Sequence, residues 1–132
     1  MIREGACHCG AIKYTADIAE PLRGSRCDCS ICSVKGAVTL GTPLAGLTVT
    51  QGEDLLTLYR FNTGVAKHYF CSRCGTYTFH QRRSDPETYG VNAACLGLDP
   101  YHDFPDVPVV DGRHHMRDTG KARLAGRLKF EE

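Results

Sequence analysis

Apolar residues along this chain recur at two-residue spacing more often than at helical spacing. Ile12-Lys13-Tyr14-Thr15 alternates as a half-buried strand does, and Leu47-Thr48-Val49-Thr50 repeats the pattern. Leu55 to Phe61 is rich in Leu, Thr, Tyr and Phe and reads as a strand. Val65 to Phe70 reads as the next, with Asn62-Thr63-Gly64 supplying the turn between them. Thr76-Tyr77-Thr78-Phe79-His80 alternates β-branched and aromatic residues, and Tyr89 to Cys95 is expected to form a further strand. Pro100 to Phe104 is the best short helical candidate, and the Pro-rich, charged stretch from Phe104 to Asp118 is expected to be irregular. Short strands punctuated by Gly-rich turns predict a mostly β fold of antiparallel sheets.

Composition narrows the picture. At 132 residues, 42% hydrophobic and 23% charged, the chain reads as one globular domain over residues 1–132, neither disordered nor collagen-like. Sixteen basic and 15 acidic residues leave a formal charge of +1, with no basic stripe to suit a nucleic acid. No run approaches the ~18 apolar residues of a membrane helix. Met1 to Gly5 has no apolar signal segment, so a cytoplasmic location without membrane attachment is expected.

In a reducing compartment, eight cysteines are metal ligands more readily than disulfides. They fall into Cys7-His8-Cys9-Gly10, Cys27-Asp28-Cys29-Ser30-Ile31-Cys32, Cys71-Ser72-Arg73-Cys74-Gly75 and a single Cys95. Tetrahedral zinc holds sulfurs at about 2.3 Å, which sets them roughly 3.8 Å apart. A glycine after the second cysteine can take positive φ and let backbone N–H groups face sulfur. Gly10 and Gly75 both hold that position, which pairs Cys7 and Cys9 with Cys71 and Cys74 in one closed, structural four-thiolate site. Cys27, Cys29 and Cys32 offer three thiolates, and three protein ligands with an open fourth position is the arrangement of a catalytic zinc. The alternatives are a disulfide framework and, for the middle cluster, a structural site completed by His or Asp. Two Zn²⁺ on seven thiolates would bring the net charge to about −2. Cys95, in Asn92-Ala93-Ala94-Cys95-Leu96, reads as a buried small hydrophobe. His114-His115 reads as a solvated loop before a metal pair.

The ordered set Gly5-Ala6-Cys7-His8-Cys9-Gly10, Cys27-Asp28-Cys29-Ser30-Ile31-Cys32, Lys35-Gly36-Ala37 and Phe70-Cys71-Ser72-Arg73-Cys74-Gly75-Thr76 resembles the glutathione-dependent formaldehyde-activating enzyme family. The resemblance runs from about residue 3 to residue 112. Val91 to Leu96 and Val110 to Arg113 are similar to the centromere-protein-V-like branch. The resemblance implies an Mss4-like fold of antiparallel sheets around zinc, a structural zinc on Cys7, Cys9, Cys71 and Cys74, and a second zinc on Cys27, Cys29 and Cys32. It also implies a carbon–sulfur lyase activity that adds glutathione to formaldehyde. Asp28 stands where the family often has His, and the chain has no Trp, which many members carry near the C-terminus.

Such a site would join a thiol, glutathione or a similar small molecule, to a small aldehyde. Cys27, Cys29 and Cys32 are then the catalytic set. Arg26 and Lys35 flank it and are candidates for a substrate carboxylate or a forming oxyanion. Asp28 could move a proton if it points inward. The plainer reading of each is a solvated side chain. The rival reading is a zinc-stabilised binding module without turnover, because a fold alone does not fix a function. A groove leading to the three-cysteine cluster favours the enzyme, and a flat surface favours the module.

Overall fold

The computed structural model describes residues 1–132. In chain order its strands are β1 (Ile2–Ala6), β2 (Lys13–Asp17), β3 (Arg26–Cys27) and β4 (Thr39–Pro43). There follow β5 (Leu47–Gln51), β6 (Leu56–Tyr59), β7 (Lys67–Cys71) and β8 (Tyr77–Gln81). The last are β9 (Thr88–Asn92), β10 (Asp106–Val110) and β11 (Leu124–Lys129). Two short helices, α1 (Ser30–Lys35) and α2 (Met116–Thr119), complete it. The fold is mostly β, with antiparallel sheets, as expected.

β2 carries the alternation read at residues 12–15: Tyr14 and Ala16 are buried while Lys13 and Asp17 face solvent. It is the centre of a three-stranded antiparallel sheet, β1-β2-β5. β1 escaped notice because its inward residue is Gly5, where a Cβ would lie 2.6 Å from the Tyr14 ring. A five-stranded antiparallel sheet follows the order β4-β9-β8-β7-β6. The β6–β7 turn falls where the sequence placed it, with Asn62 and Gly64 at φ 53° and 72°. The two sheets meet through aromatic rings. Tyr14 meets Phe79 edge-on at 5.3 Å between centroids, and its hydroxyl donates to the Thr78 carbonyl at 3.3 Å.

The last third of the chain departs from expectation. Residues 104–118 are not irregular: they hold β10 and α2. β10 pairs antiparallel with β11 and, at Val109 and Val110, parallel with β3. Its Pro108 disguised it, since proline withholds a ladder donor. Pro100–Phe104 is not a helix. Asp99 Oδ1 instead accepts from the N–H groups of Tyr101 and His102 and folds the segment into turns. The strand expected over Tyr89–Cys95 stops at Asn92, whose side chain accepts from Ala94 N and starts a 3₁₀ turn over Ala93–Leu96.

Candidate functional site

The turns after β1 and β7 come together. Each places a glycine at positive φ, Gly10 at 77° and Gly75 at 75°. The chain therefore doubles back and aims N–H groups at sulfur: Ile12 N donates to Cys7 Sγ at 3.3 Å and Arg73 N to Cys71 Sγ at 3.4 Å. Cys7 Sγ lies 3.6 Å from Cys9 Sγ, which lies 3.8 Å from Cys71 Sγ. All four sulfurs of Cys7, Cys9, Cys71 and Cys74 fall within 4.8 Å of one another, so the group could hold a metal ion. The observed separations match the roughly 3.8 Å that tetrahedral zinc–sulfur bonding requires. Cys7 and Cys71 are buried, while Cys9 and Cys74 close the outer side.

Cys27, Cys29 and Cys32 form the second such group, also within 4.8 Å. Cys27 ends β3, and Cys29 caps α1, its sulfur accepting from Cys32 N at 3.5 Å. Hydrogen bonds from the Cys27 and Cys32 thiols hold the Cys29 thiol far below its ordinary range. The loop after β10 presses against this group: a Cβ on Gly112 would stand 2.7 Å from Cys29 Cβ and collide with Cys27 Sγ. Asp28 holds that loop down, its Oδ1 accepting from Gly112 N at 2.8 Å and Arg113 N at 3.1 Å. Asp28 thus fastens that loop over the thiol group.

All three thiols open onto a cavity of about 520 Å³. His68 and His80, directly paired across β7 and β8, line the same cavity. These residues were missed. Their signal was a polar side chain at the buried register of two neighbouring strands. Burial first, then nearby cations, hold the His68 imidazolium down to about 4 and His80 well below its usual range, so both rings are neutral at pH 7. Gly41 and Gly90, paired across β4 and β9, leave room for the Arg82 side chain. A Cβ on Gly90 would lie 3.2 Å from Arg82 Nε and 2.5 Å from His80 Cε1.

The cavity wall is rich in guanidinium groups. Arg83 is held by Asp118 at 2.6 and 3.1 Å, and Arg123 by Asp111 at 2.7 Å. Arg82, also on the wall, lacks a carboxylate partner. Arg26 lines the cavity too and donates to Gly36 O at 2.7 Å. Lys35 turns to His68 and Tyr77. Its Nζ lies 2.6 Å from His68 Nδ1 and 3.7 Å over the Tyr77 ring centre. Burial pushes its ammonium down to about 8. His114 and His115 part company. His114 turns to Asp111 at 3.2 Å, while His115 accepts from Arg117 N as the cap of α2 and lines the cavity. Cys95 packs half-buried against the core, and that burial raises its thiol to about 11. No helix is long and apolar enough to cross a membrane.

The chain is similar to known proteins over most of this architecture. A Halomonas elongata protein, provisionally named a glutathione-dependent formaldehyde-activating enzyme, is 32% identical over 84 residues. The matched stretch is 58% of this chain and 54% of that protein, so the chain spans about half the length of that curated relative. The crystal structure of a Rhodobacter sphaeroides protein superposes with a TM-score of 0.76 at 47% identity, covering 80% of this chain and 98% of that one. Residues 2–106 match the family model described as glutathione-dependent formaldehyde-activating enzyme. Together with the two thiol groups, that match makes this chain a member of the glutathione-dependent formaldehyde-activating enzyme family.

Proposed function

We propose that residues 1–132 act as one zinc-binding unit that adds glutathione, or a similar small thiol, to formaldehyde or another small aldehyde. In this reading Cys7, Cys9, Cys71 and Cys74 hold a structural zinc, and Cys27, Cys29 and Cys32 hold a second. The observation that carries it is the cavity: three clustered thiols open onto about 520 Å³ of space rather than onto a flat surface. The donor sets fit the metal, since clustered thiolates select zinc among the common divalent ions.

A zinc ion on the three-thiolate group would supply the positive charge that lets an incoming thiol lose its proton near neutral pH. The protein's own residues account for binding. Glutathione carries two carboxylates, and Arg82 and Arg113 present guanidinium groups on the wall without a carboxylate partner. Gly41 and Gly90 keep the floor open beneath Arg82. The β10–α2 loop, fastened by Asp28, shields the thiols from water on one side. The class of reaction is carbon–sulfur bond formation and cleavage, a lyase chemistry.

Thiols and aldehydes combine without help, so product detection alone would mislead. Exchange spectroscopy of hemithioacetal formation at equilibrium separates the cases. Wild type is expected to exchange glutathione and formaldehyde faster than buffer, and Cys29→Ser is expected to lose that gain. Equal rates across a panel of thiols and aldehydes would leave a binding module without turnover.

A further inference from the structure

His68 lines the same cavity as the three thiols, and only one edge of its ring is bonded. Nδ1 lies 2.6 Å from Lys35 Nζ, while Nε2 is buried without a hydrogen-bond partner. The residue is 4% exposed, so bulk water does not serve that nitrogen. An ammonium has only protons to give. Nδ1 is therefore the acceptor, and the single proton of the neutral ring sits on Nε2. A buried donor without an acceptor is rare in a folded protein and asks for an explanation. Packing holds the ring in place: Phe61 leans on it at 5.9 Å and His80 stacks at 5.2 Å. Lys35 is itself fixed over Tyr77.

Resting on the thiol–aldehyde reading above, we infer that the Nε2–H of His68 is the donor that receives the aldehyde oxygen, and that Lys35 is the positioning residue that sets its tautomer and resupplies its proton. The step balances without any oxidant or reductant. The thiol S–H breaks and its sulfur forms a bond to the carbonyl carbon, while the C=O π pair moves to oxygen. Nε2 gives its proton to that oxygen as Nδ1 takes one from Lys35 Nζ. The proton released by the thiol is delivered to Nε2 while Nδ1 passes its proton back to Lys35 Nζ, so the ammonium and the starting tautomer are both restored. The net change is thiol plus aldehyde to hemithioacetal. Neutral His68 is suited to this, because an already charged ring would need no lysine beside it.

The test combines ¹⁵N NMR of histidine-labelled, zinc-loaded protein with the equilibrium exchange assay. Wild type is expected to show His68 as the Nε2–H tautomer, and Lys35→Met to show a mixture. His68→Phe and Lys35→Met are each expected to cut the catalysed exchange about 10- to 100-fold, with glutathione Kd changed less than about threefold. Lys35 lies on a short surface helix, so its variant tests the idea even if His68→Phe fails to fold. A wild-type Nδ1–H or doubly protonated ring overturns the inference. So does a fast wild type whose rate neither variant lowers, and that outcome leaves the thiol–aldehyde reading standing. A wild type that accelerates no exchange overturns that reading itself, and the donor role with it.

Discussion

The two thiol groups share a donor atom and differ in everything around it. Cys9 and Cys71 meet across 62 positions of sequence, and their group ties the β1–β2 turn to the β7–β8 turn. Cys27, Cys29 and Cys32 lie within six residues at the start of α1 and tie together almost nothing. Four thiols saturate a tetrahedral ion, whereas three leave one side for chemistry. The three-thiol group faces a cavity lined by His68, His80 and Arg82, and none of the four thiols of the other group lines it. On the proposed reading, long-range closure and reactivity are separated: the group that ties distant turns together is the one without an open position.

The sharpest break between the two comes from losing one ligand in each. Cys71→Ser should abolish folding. Structural zinc sites contribute about 10–16 kcal/mol in small zinc peptides, as much as the whole stability of a domain at about 5–15 kcal/mol. Circular dichroism and solubility report it, and a soluble variant with an unchanged melting temperature would contradict the assignment. Cys29→Ser should keep the sheet signal and lose one zinc of two, with a fall in Tm below about 5 °C. Serine remains a good helix cap at that position, which protects α1. Two zinc ions per chain in this variant would disprove the three-thiol assignment.

Smaller effects sharpen the contrast. Gly112→Ala drives a methyl group against Cys27 and Cys29 alone. It should weaken the second zinc about 10- to 100-fold and leave the first untouched. Chelator competition should then show one fast and one slow release, and uniform release would count against the packing argument. Arg82→Met should raise KM for glutathione about tenfold with little change in kcat. An uncharged thiol such as 2-mercaptoethanol should not notice it, and equal losses for both thiols would remove Arg82 from carboxylate binding.

The cysteine spacing made both thiol groups legible in the sequence: the glycine after Cys9 and after Cys74 marks the first, and three cysteines within six residues mark the second. The strands that were legible, β2, β5, β6, β7, β8 and most of β9, are rich in β-branched and aromatic residues, with the plainest alternation in β2 and β5. The unread strands interrupt their pattern with glycine or proline. β1 buries Gly5, β4 runs Thr39-Leu40-Gly41-Thr42-Pro43, and β10 carries Pro108. β11 is exposed along its whole length, so no buried face marks it. The cavity was illegible for a different reason. Its wall gathers His68, Arg82 and Gly112 from three distant places, and nothing local in the sequence says that they meet.

The pinning of Cys9 to Cys71 has a mechanical side. With metal bound, a pull applied to the two ends of the chain cannot reach the residues between those sulfurs. The β2, β5 and β6 strands lie inside the closed segment and stay slack while the clamp carries the load. Stretching should therefore first peel β11 and β10, and then stall. When the metal–thiolate bonds finally give way, 62 residue intervals become free at once. At about 3.3–3.6 Å per residue that is a jump of roughly 200 Å in contour length. A single large step of that size, shortened to gradual extension by a chelator, would be the force signature of this clamp.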